Sequence, residues 1–222
     1  MSEQKNRHAV VLGASGLVGA EVLRRILDEP AYSRITIISR RELDVKHPKL
    51  SAEILELSDL SQSKALKECH HIYCCLGTTI KKAGSKEAFH DVDYAGPVRA
   101  AESALKNSNK LEKFLVVSAL GADHRSKIFY NHVKGEMERA LLEMPIPELH
   151  VFRPSLLVGN RAESRPSERI AIAVMQPLAW AFRGPLKKYK PVDVRDVAHA
   201  MVAAALTKNE RGHFFHESDQ LQ

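Results

Sequence analysis

Cysteine is scarce in this chain. Its 222 residues include three, Cys69, Cys74 and Cys75, all within seven positions of one another. So tight a group cannot staple a fold, which excludes a disulfide scaffold and fits reduced thiols; a cytoplasmic location is therefore expected. Aromatic residues make up only 6%, with a single tryptophan. Long apolar runs are also missing. The longest uncharged stretch, Ile170–Phe182, contains Gln176 and Pro177 and is too short to cross a bilayer. The polar opening, MSEQKNRHAVV, has no apolar core of a secretory leader, so none is expected. Neither sign of charge dominates. Lys and Arg number 33 against 27 Asp and Glu, and the resulting +6 is spread along the chain. That surplus admits an anionic ligand but does not mark a nucleic-acid-binding protein.

What is present suits a globular core: 44% hydrophobic and 27% charged residues, in a length expected to form one domain, 1–222. Short apolar runs alternate with helical periodicity. His8–Leu12 ends in a glycine-rich turn, after which Leu17, Val18, Val22, Leu23, Ile26 and Leu27 recur at helical spacing until Pro30. Strands are predicted at Arg34–Ser39, Ala52–Leu57, His71–Leu76, Lys113–Ser118 and Leu149–Phe152. Helices are predicted around Asp93–Lys106, Phe129–Glu143 and Asp196–Leu206, with Asp196 capping the last. Such alternation implies right-handed βαβ units, hence a parallel sheet with helices on both faces. Residues 155–191 break the pattern with Gly159, Pro166, Pro177, Gly184, Pro185 and Pro191, and read as a lid or substrate-binding excursion.

The segment Val10–Gly19 (VVLGASGLVG) is a strand, a G-x-x-G-x-x-G turn and a helix start. Gly13 and Gly16 allow a tight turn and close approach of backbone to a pyrophosphate, while Gly19 allows the helix to pack tightly on the strand. The fold class that follows is a doubly wound α/β Rossmann sheet. A dinucleotide-binding strand of this kind usually ends in Asp or Glu, placed to accept from the ribose 2′-hydroxyl of NAD. Here the second strand ends Ser39-Arg40-Arg41. Two guanidinium groups suit a 2′-phosphate through bidentate, charge-assisted hydrogen bonds, so the expected cofactor is NADPH. Leu76-Gly77 after the fourth strand lets a cofactor ribose approach the backbone.

Tyr130 and Lys134 stand at i and i+4, on one face of a helix, and Ser118 ends the strand before it. The three suit carbonyl chemistry. A lysine ammonium favours a neighbouring phenolate and can bind a nicotinamide ribose. The tyrosine passes a proton to or from the substrate oxygen, and the serine hydroxyl steadies that oxygen.

Together with Cys74-Cys75-Leu76-Gly77-Thr78-Thr79, Gly121-Ala122-Asp123, Lys134-Gly135-Glu136, Val151-Phe152-Arg153-Pro154 and Glu163-Ser164-Arg165-Pro166, these motifs resemble the short-chain dehydrogenase/reductase superfamily. More narrowly, they resemble its atypical Tat-interactive-protein oxidoreductase-like group, over nearly the whole chain. The resemblance implies a Rossmann fold, NADPH in the cleft, Tyr130 as proton donor and Lys134 as its partner. It further implies cofactor contacts from Ser15, Gly16, Leu17, Val18, Arg40, Arg41, Leu76, Gly77, Leu157 and Arg165. One departure stands out: relatives often carry Ser-Ser where this chain has Ser118-Ala119.

The leading expectation is hydride transfer to or from a carbonyl or alcohol on a small organic substrate. Two alternatives stay open. One is an NADPH sensor acting through a protein partner without turnover; the other is an epimerase or dehydratase that uses the cofactor transiently. No metal site is expected, since Cys69, His70, His71, Cys74 and Cys75 lack a second ligand pair at zinc spacing. The segment Ile170–Phe182, flanked by Arg169 and Arg183, reads as core packing, a pocket wall or a homodimer contact in preference to a membrane-surface anchor.

Overall fold

The computed structural model describes residues 6–107, 110–159, 188–208 and 210–221. In chain order the elements are β1 (Arg7–Leu12), α1 (Leu17–Leu27), β2 (Tyr32–Ser39), β3 (Leu50–Ile54), β4 (His71–Cys74), the short helices α2 (Ile80–Ala83) and α3 (Lys86–His90), a π-helical turn (Asp91–Ala95) and α4 (Gly96–Asn107). There follow β5 (Lys113–Val117), α5 (Phe129–Leu142), β6 (Glu148–Arg153), β7 (Leu157–Val158), β8 (Val192–Asp193), α6 (Val194–Leu206) and β9 (Gly212–Glu217). Seven strands form one sheet in the order β3-β2-β1-β4-β5-β6-β9, every pairing parallel. The winding reverses between β1 and β4, and ligands of such sheets bind at the carboxyl ends of the strands beside that reversal.

Successive strand residues serve opposite faces. Ala9, Val11, Tyr73, Leu115, Val117 and Phe152 pack against Val18, Val22 and Ile26 of α1 and Val197 and Met201 of α6. Their neighbours Val10, Leu12, Ile72, Cys74, Phe114, Val116 and Val151 pack against Ala100, Ala101 and Ala104 of α4 and Met137 and Leu141 of α5. Small alanines on α4 let that helix lie close to the sheet. The doubly wound sheet expected from the alternation is thus the one observed.

Three local expectations shift. The third strand is Leu50–Ile54, not Ala52–Leu57: it pairs with β2 from Ile35↔Leu50 to Ser39↔Ile54, and Leu57 opens a 3-10 turn (Leu57–Gln62) that buries Leu60. The cap of α6 is Asp193, whose carboxylate accepts from Arg195 N at 2.8 Å, while Asp196 lies in the first turn. Strand β9 went unforeseen because GHFFHE sets polar residues around its two aromatics and offers no longer apolar run. Of the excursion 155–191, residues 160–187 lie outside the described residues, as does the whole of Ile170–Phe182. Its two ends meet, Leu157 pairing with Val192 and Val158 with Asp193. Among the described residues no helix is long and apolar enough to cross a membrane.

Candidate active site

The glycine turn is set by contact as much as by conformation. Gly13 has φ +78°, and a Cβ there would lie 2.4 Å from the Cys75 carbonyl oxygen. Cys75 N in turn donates to Leu12 O at 2.9 Å, so the ends of β1 and β4 are laced together where the winding reverses. A Cβ on Gly19 would come 2.2 Å from Gly13 O, which explains how closely α1 starts beneath the turn. Gly16 N donates to Gly13 O at 2.9 Å, and Gly16 caps α1 with no side-chain hydrogen bond and no acidic residue in the first turn. Ser15 and Gly16 are exposed, Leu17 half-buried, and Val18 and Gly19 buried, so the start of the helix is open to solvent. Uncapped amides at the positive end of a helix dipole suit a pyrophosphate.

At the end of β2, Ser39 Oγ donates to Arg41 O at 2.6 Å and fixes the turn that carries the arginine pair. Arg40 and Arg41 are exposed, and among the described residues neither guanidinium meets a carboxylate. Both remain available to an anion beside the glycine turn's strand. The donor set of turn, helix start and arginine pair therefore fits a phosphorylated dinucleotide.

Helix α5 brings the tyrosine and lysine to the carboxyl edge of the sheet. Its approach depends on Gly135, where a Cβ would sit 2.1 Å from His124 N. Tyr130 lies in the first turn, 38% exposed, its ring 5.8 Å from that of buried Phe89, and its hydroxyl has no hydrogen-bond partner among the described residues. Lys134 is buried. Its Nζ donates to Val117 O at 3.3 Å and lies 2.9 Å from Asp93 Oδ1. Burial works against the ammonium, but Asp93 and then Tyr130 favour it, and the balance holds Lys134 above its usual value. Asp93, also buried, comes from the π-helical turn, and its Oδ2 accepts from Thr78 N at 2.9 Å. Leu76 and Gly77 precede that amide, and Gly77 faces Asp93 Oδ1. A groove of about 550 Å³ opens beside Phe129, lined also by Lys86, His90, Asp91 and Arg99 among others, and includes neither Tyr130 nor Lys134.

Ser118 stands apart from this arrangement. It ends β5 as expected, but its buried hydroxyl donates to Glu138, one turn beyond Lys134 on α5. Glu138 is held in turn by Arg153 at the end of β6. Ala119, next to Ser118, is buried and brings no hydroxyl. Leu157 is half-buried in β7 against the α1 and α6 layer, and Arg165 lies outside the described residues. Asp93, Glu138 and Arg153 were not among the expected site residues, although Glu138 follows Tyr130 and Lys134 at the same four-residue spacing. The thiols of Cys69 and Cys74 are pushed up by burial to about 12, and that of Cys75 rises well above its usual value. Among the described residues no group of His, Cys, Asp and Glu could hold a metal.

Comparison with known proteins supports the fold and identifies the family. Residues 9–132 match the NAD dependent epimerase/dehydratase family. Protein HTATIP2 of Rattus norvegicus is 35% identical over 173 residues, covering 76% of this chain and 70% of that protein. Protein FMP52, mitochondrial, of Candida albicans is 31% identical over 199 residues, covering 86% of this chain and 85% of that protein. Among solved structures, the Bordetella bronchiseptica enzyme WbmF in complex with NAD+ superposes with a TM-score of 0.68 at 17% identity, over 99% of this chain and 77% of that one. Several FMP52 relatives carry the word mitochondrial in their names, which overturns the cytoplasmic expectation. Thiol usage separates oxidising from reducing compartments; it does not tell one reducing compartment from another.

Proposed function

Because the chain belongs to the NAD dependent epimerase/dehydratase family, within the atypical short-chain dehydrogenase/reductase group of Tat-interactive-protein-like members, we propose that it is an NADPH-dependent oxidoreductase acting on a carbonyl or alcohol of a small organic substrate. The observation that carries this reading is the pairing of Tyr130, its hydroxyl unpartnered among the described residues, with a buried, charged Lys134 one helical turn away.

The glycine turn and the start of α1 hold the pyrophosphate, and Arg40 and Arg41 take the 2′-phosphate. NADPH, when bound, supplies the hydride that goes to the carbonyl carbon. Tyr130 gives its hydroxyl proton to the carbonyl oxygen, so that the alcohol forms and the phenolate remains. Lys134 stabilises that phenolate and donates to the ribose next to it. Ser118, its proton committed to Glu138, positions α5 and does not steady the substrate oxygen. Lipophilic or aromatic carbonyls suit the part-exposed Phe129 and Tyr130 rings, which buried Phe89 backs from below.

The test is NADPH consumption over a panel of aldehydes, ketones and quinones, wild type against Tyr130→Phe. A loss of roughly a hundredfold or more in kcat/KM is expected, the usual share of a general acid. Full turnover by the variant on a genuine substrate would remove Tyr130 from its role. The family's description favours a second reading, an epimerase or dehydratase that uses the cofactor transiently. That chemistry gives product without net NADPH oxidation, so substrate loss at constant absorbance at the reduced-nicotinamide band would favour it.

A further inference from the structure

The charges lining the groove beside Phe129 are unevenly engaged. Its walls come from α3, the π-helical turn, α4 and the first residue of α5, and they carry two carboxylates, Glu87 and Asp91, with the cations Lys86 and Arg99. Arg99 Nη1 donates to Asp91 Oδ1 at 2.6 Å, so those two charges answer each other. Glu87 turns back on the start of α3, where its own amide and the Ser85 hydroxyl hold its carboxyl below the usual value. Lys86 is left over. It is exposed, makes no ion pair among the described residues, and sets its Nζ 5.2 Å from the centre of the Phe129 ring. The ring face attracts the ammonium and the apolar stem packs beside it, while all three N–H donors stay free for a ligand.

This free cation lies close to the reacting groups. Phe129 and Tyr130 are consecutive, and both rings pack on Phe89, at 5.5 and 5.8 Å between centres. The turn that forms one wall of the groove also carries Asp93, the partner of Lys134.

We propose that the groove is the part of the substrate site that reads charge: it takes the carboxylate end of an oxo acid, and Lys86 is the residue that selects it. The inference rests on the reading of Tyr130 as proton donor, and it narrows the lipophilic carbonyls to those with an anion at the far end. The apolar body of such a molecule covers Phe129, its carbonyl oxygen reaches the Tyr130 hydroxyl, and its carboxylate meets the Lys86 ammonium. Arg99 contributes less, because Asp91 already neutralises it.

The experiment compares aryl oxo acids of increasing chain length with their methyl esters, which share the carbonyl and the apolar body but lack the charge. NADPH consumption is followed for wild type, Lys86→Met and Lys86→Glu. At the best-fitting chain length, wild type is expected to favour the acid by about fivefold in kcat/KM, the upper end of what an exposed ion pair provides, with the difference lying in KM. Raising the salt from about 0.05 to about 0.5 M is expected to erode that preference. Lys86→Met, which keeps the apolar stem, is expected to bring acid and ester to parity, and Lys86→Glu to favour the ester. No preference for the acid in wild type at any chain length would overturn the proposal, as would a preference that survives both substitutions. Binding of 4-phenylbutyrate and 4-phenylbutanol, neither of which can accept hydride, is measured alongside by calorimetry with NADPH present. If no carbonyl is turned over, the oxidoreductase reading fails; carboxylate binding that is lost in Lys86→Met then still upholds the anion site, and equal binding of the two probes overturns it. Turnover without preference for the acid leaves the oxidoreductase reading standing and removes this one.

Discussion

Arg153, at the end of β6, grips Glu138 of α5 through two hydrogen bonds, Nε to Oε1 at 3.0 Å and Nη2 to Oε2 at 2.5 Å. Glu138 simultaneously accepts a hydrogen bond from the Ser118 hydroxyl, and Arg153 reaches Glu217 of β9 at 2.9 Å. Three strands and α5 therefore meet in one cluster around the Arg153–Glu138 pair. Truncating it leaves a partly buried guanidinium and a buried hydroxyl without their acceptor. Glu138→Ala is expected to cost about 3 kcal/mol, the low end for a broken buried pair because Arg153 keeps Glu217. Urea denaturation measures this, and a cost under about 1 kcal/mol, the range of exposed pairs, would contradict it.

Two glycines of positive φ allow conformation to be separated from contact. Gly84 has φ +89° with open space where its Cβ would go, whereas Gly13 has φ +78° with Cys75 O at 2.4 Å. Gly84→Ala is expected to cost about 1–2 kcal/mol, the strain of a left-handed backbone alone. Gly13→Ala adds a backbone clash and is expected to cost at least about 2 kcal/mol more. Equal thermal stabilities for the two variants would mean that the β1–β4 junction yields more readily than its hydrogen bond suggests.

Acid is expected to destabilise the fold well above the carboxylate range. Burial, reinforced by Arg34 around His8 and by His216 around His150, holds both imidazoles down to about 4, against 6.5 for a free side chain. Both are neutral in the native state, so the unfolded chain binds protons first as pH falls below 6.5. Stability is level above that value and declines from there to about pH 4, with these two histidines taking up about two protons per unfolding event near pH 5. Midpoints of urea unfolding across pH 5 to 8 provide the check, and a flat profile would contradict the buried, neutral assignment.

The thiols should be inert in the native protein. Cys69 and Cys74 sit near 12 and Cys75 is raised as well, all by burial, so almost no thiolate exists at pH 7.5. A disulfide exchange reagent is expected to modify Cys69 and Cys74, the two buried thiols, only after unfolding. Rapid labelling of either of these two in the native state would show that β4 opens.

Much of the fold was legible because its strands are short, β-branched and separated by helices of clear period, and β1, α1, β2 and α5 fall within about two residues of expectation. Strand β9 was not, since an edge strand half open to solvent has no run of apolar residues to announce it. The glycine turn and the Tyr130–Lys134 spacing are local patterns, visible in one dimension. Asp93 and Glu138 are not: each matters through a partner 41 or 20 positions away, Lys134 for the first and Ser118 for the second, and only the fold brings those pairs together. Ser118 illustrates the same point in reverse, being correctly placed at a strand end with its proton already committed.

The most direct test of the cofactor assignment is a fluorescence titration with NADPH and NADH, on wild type and on Arg40→Ala/Arg41→Ala. Wild type is expected to bind NADPH at least about tenfold tighter, a difference of about 1.4 kcal/mol, and the double substitution is expected to abolish that preference while leaving NADH affinity unchanged. Equal affinities in wild type, or a preference that survives loss of both arginines, would contradict a 2′-phosphate site at the end of β2.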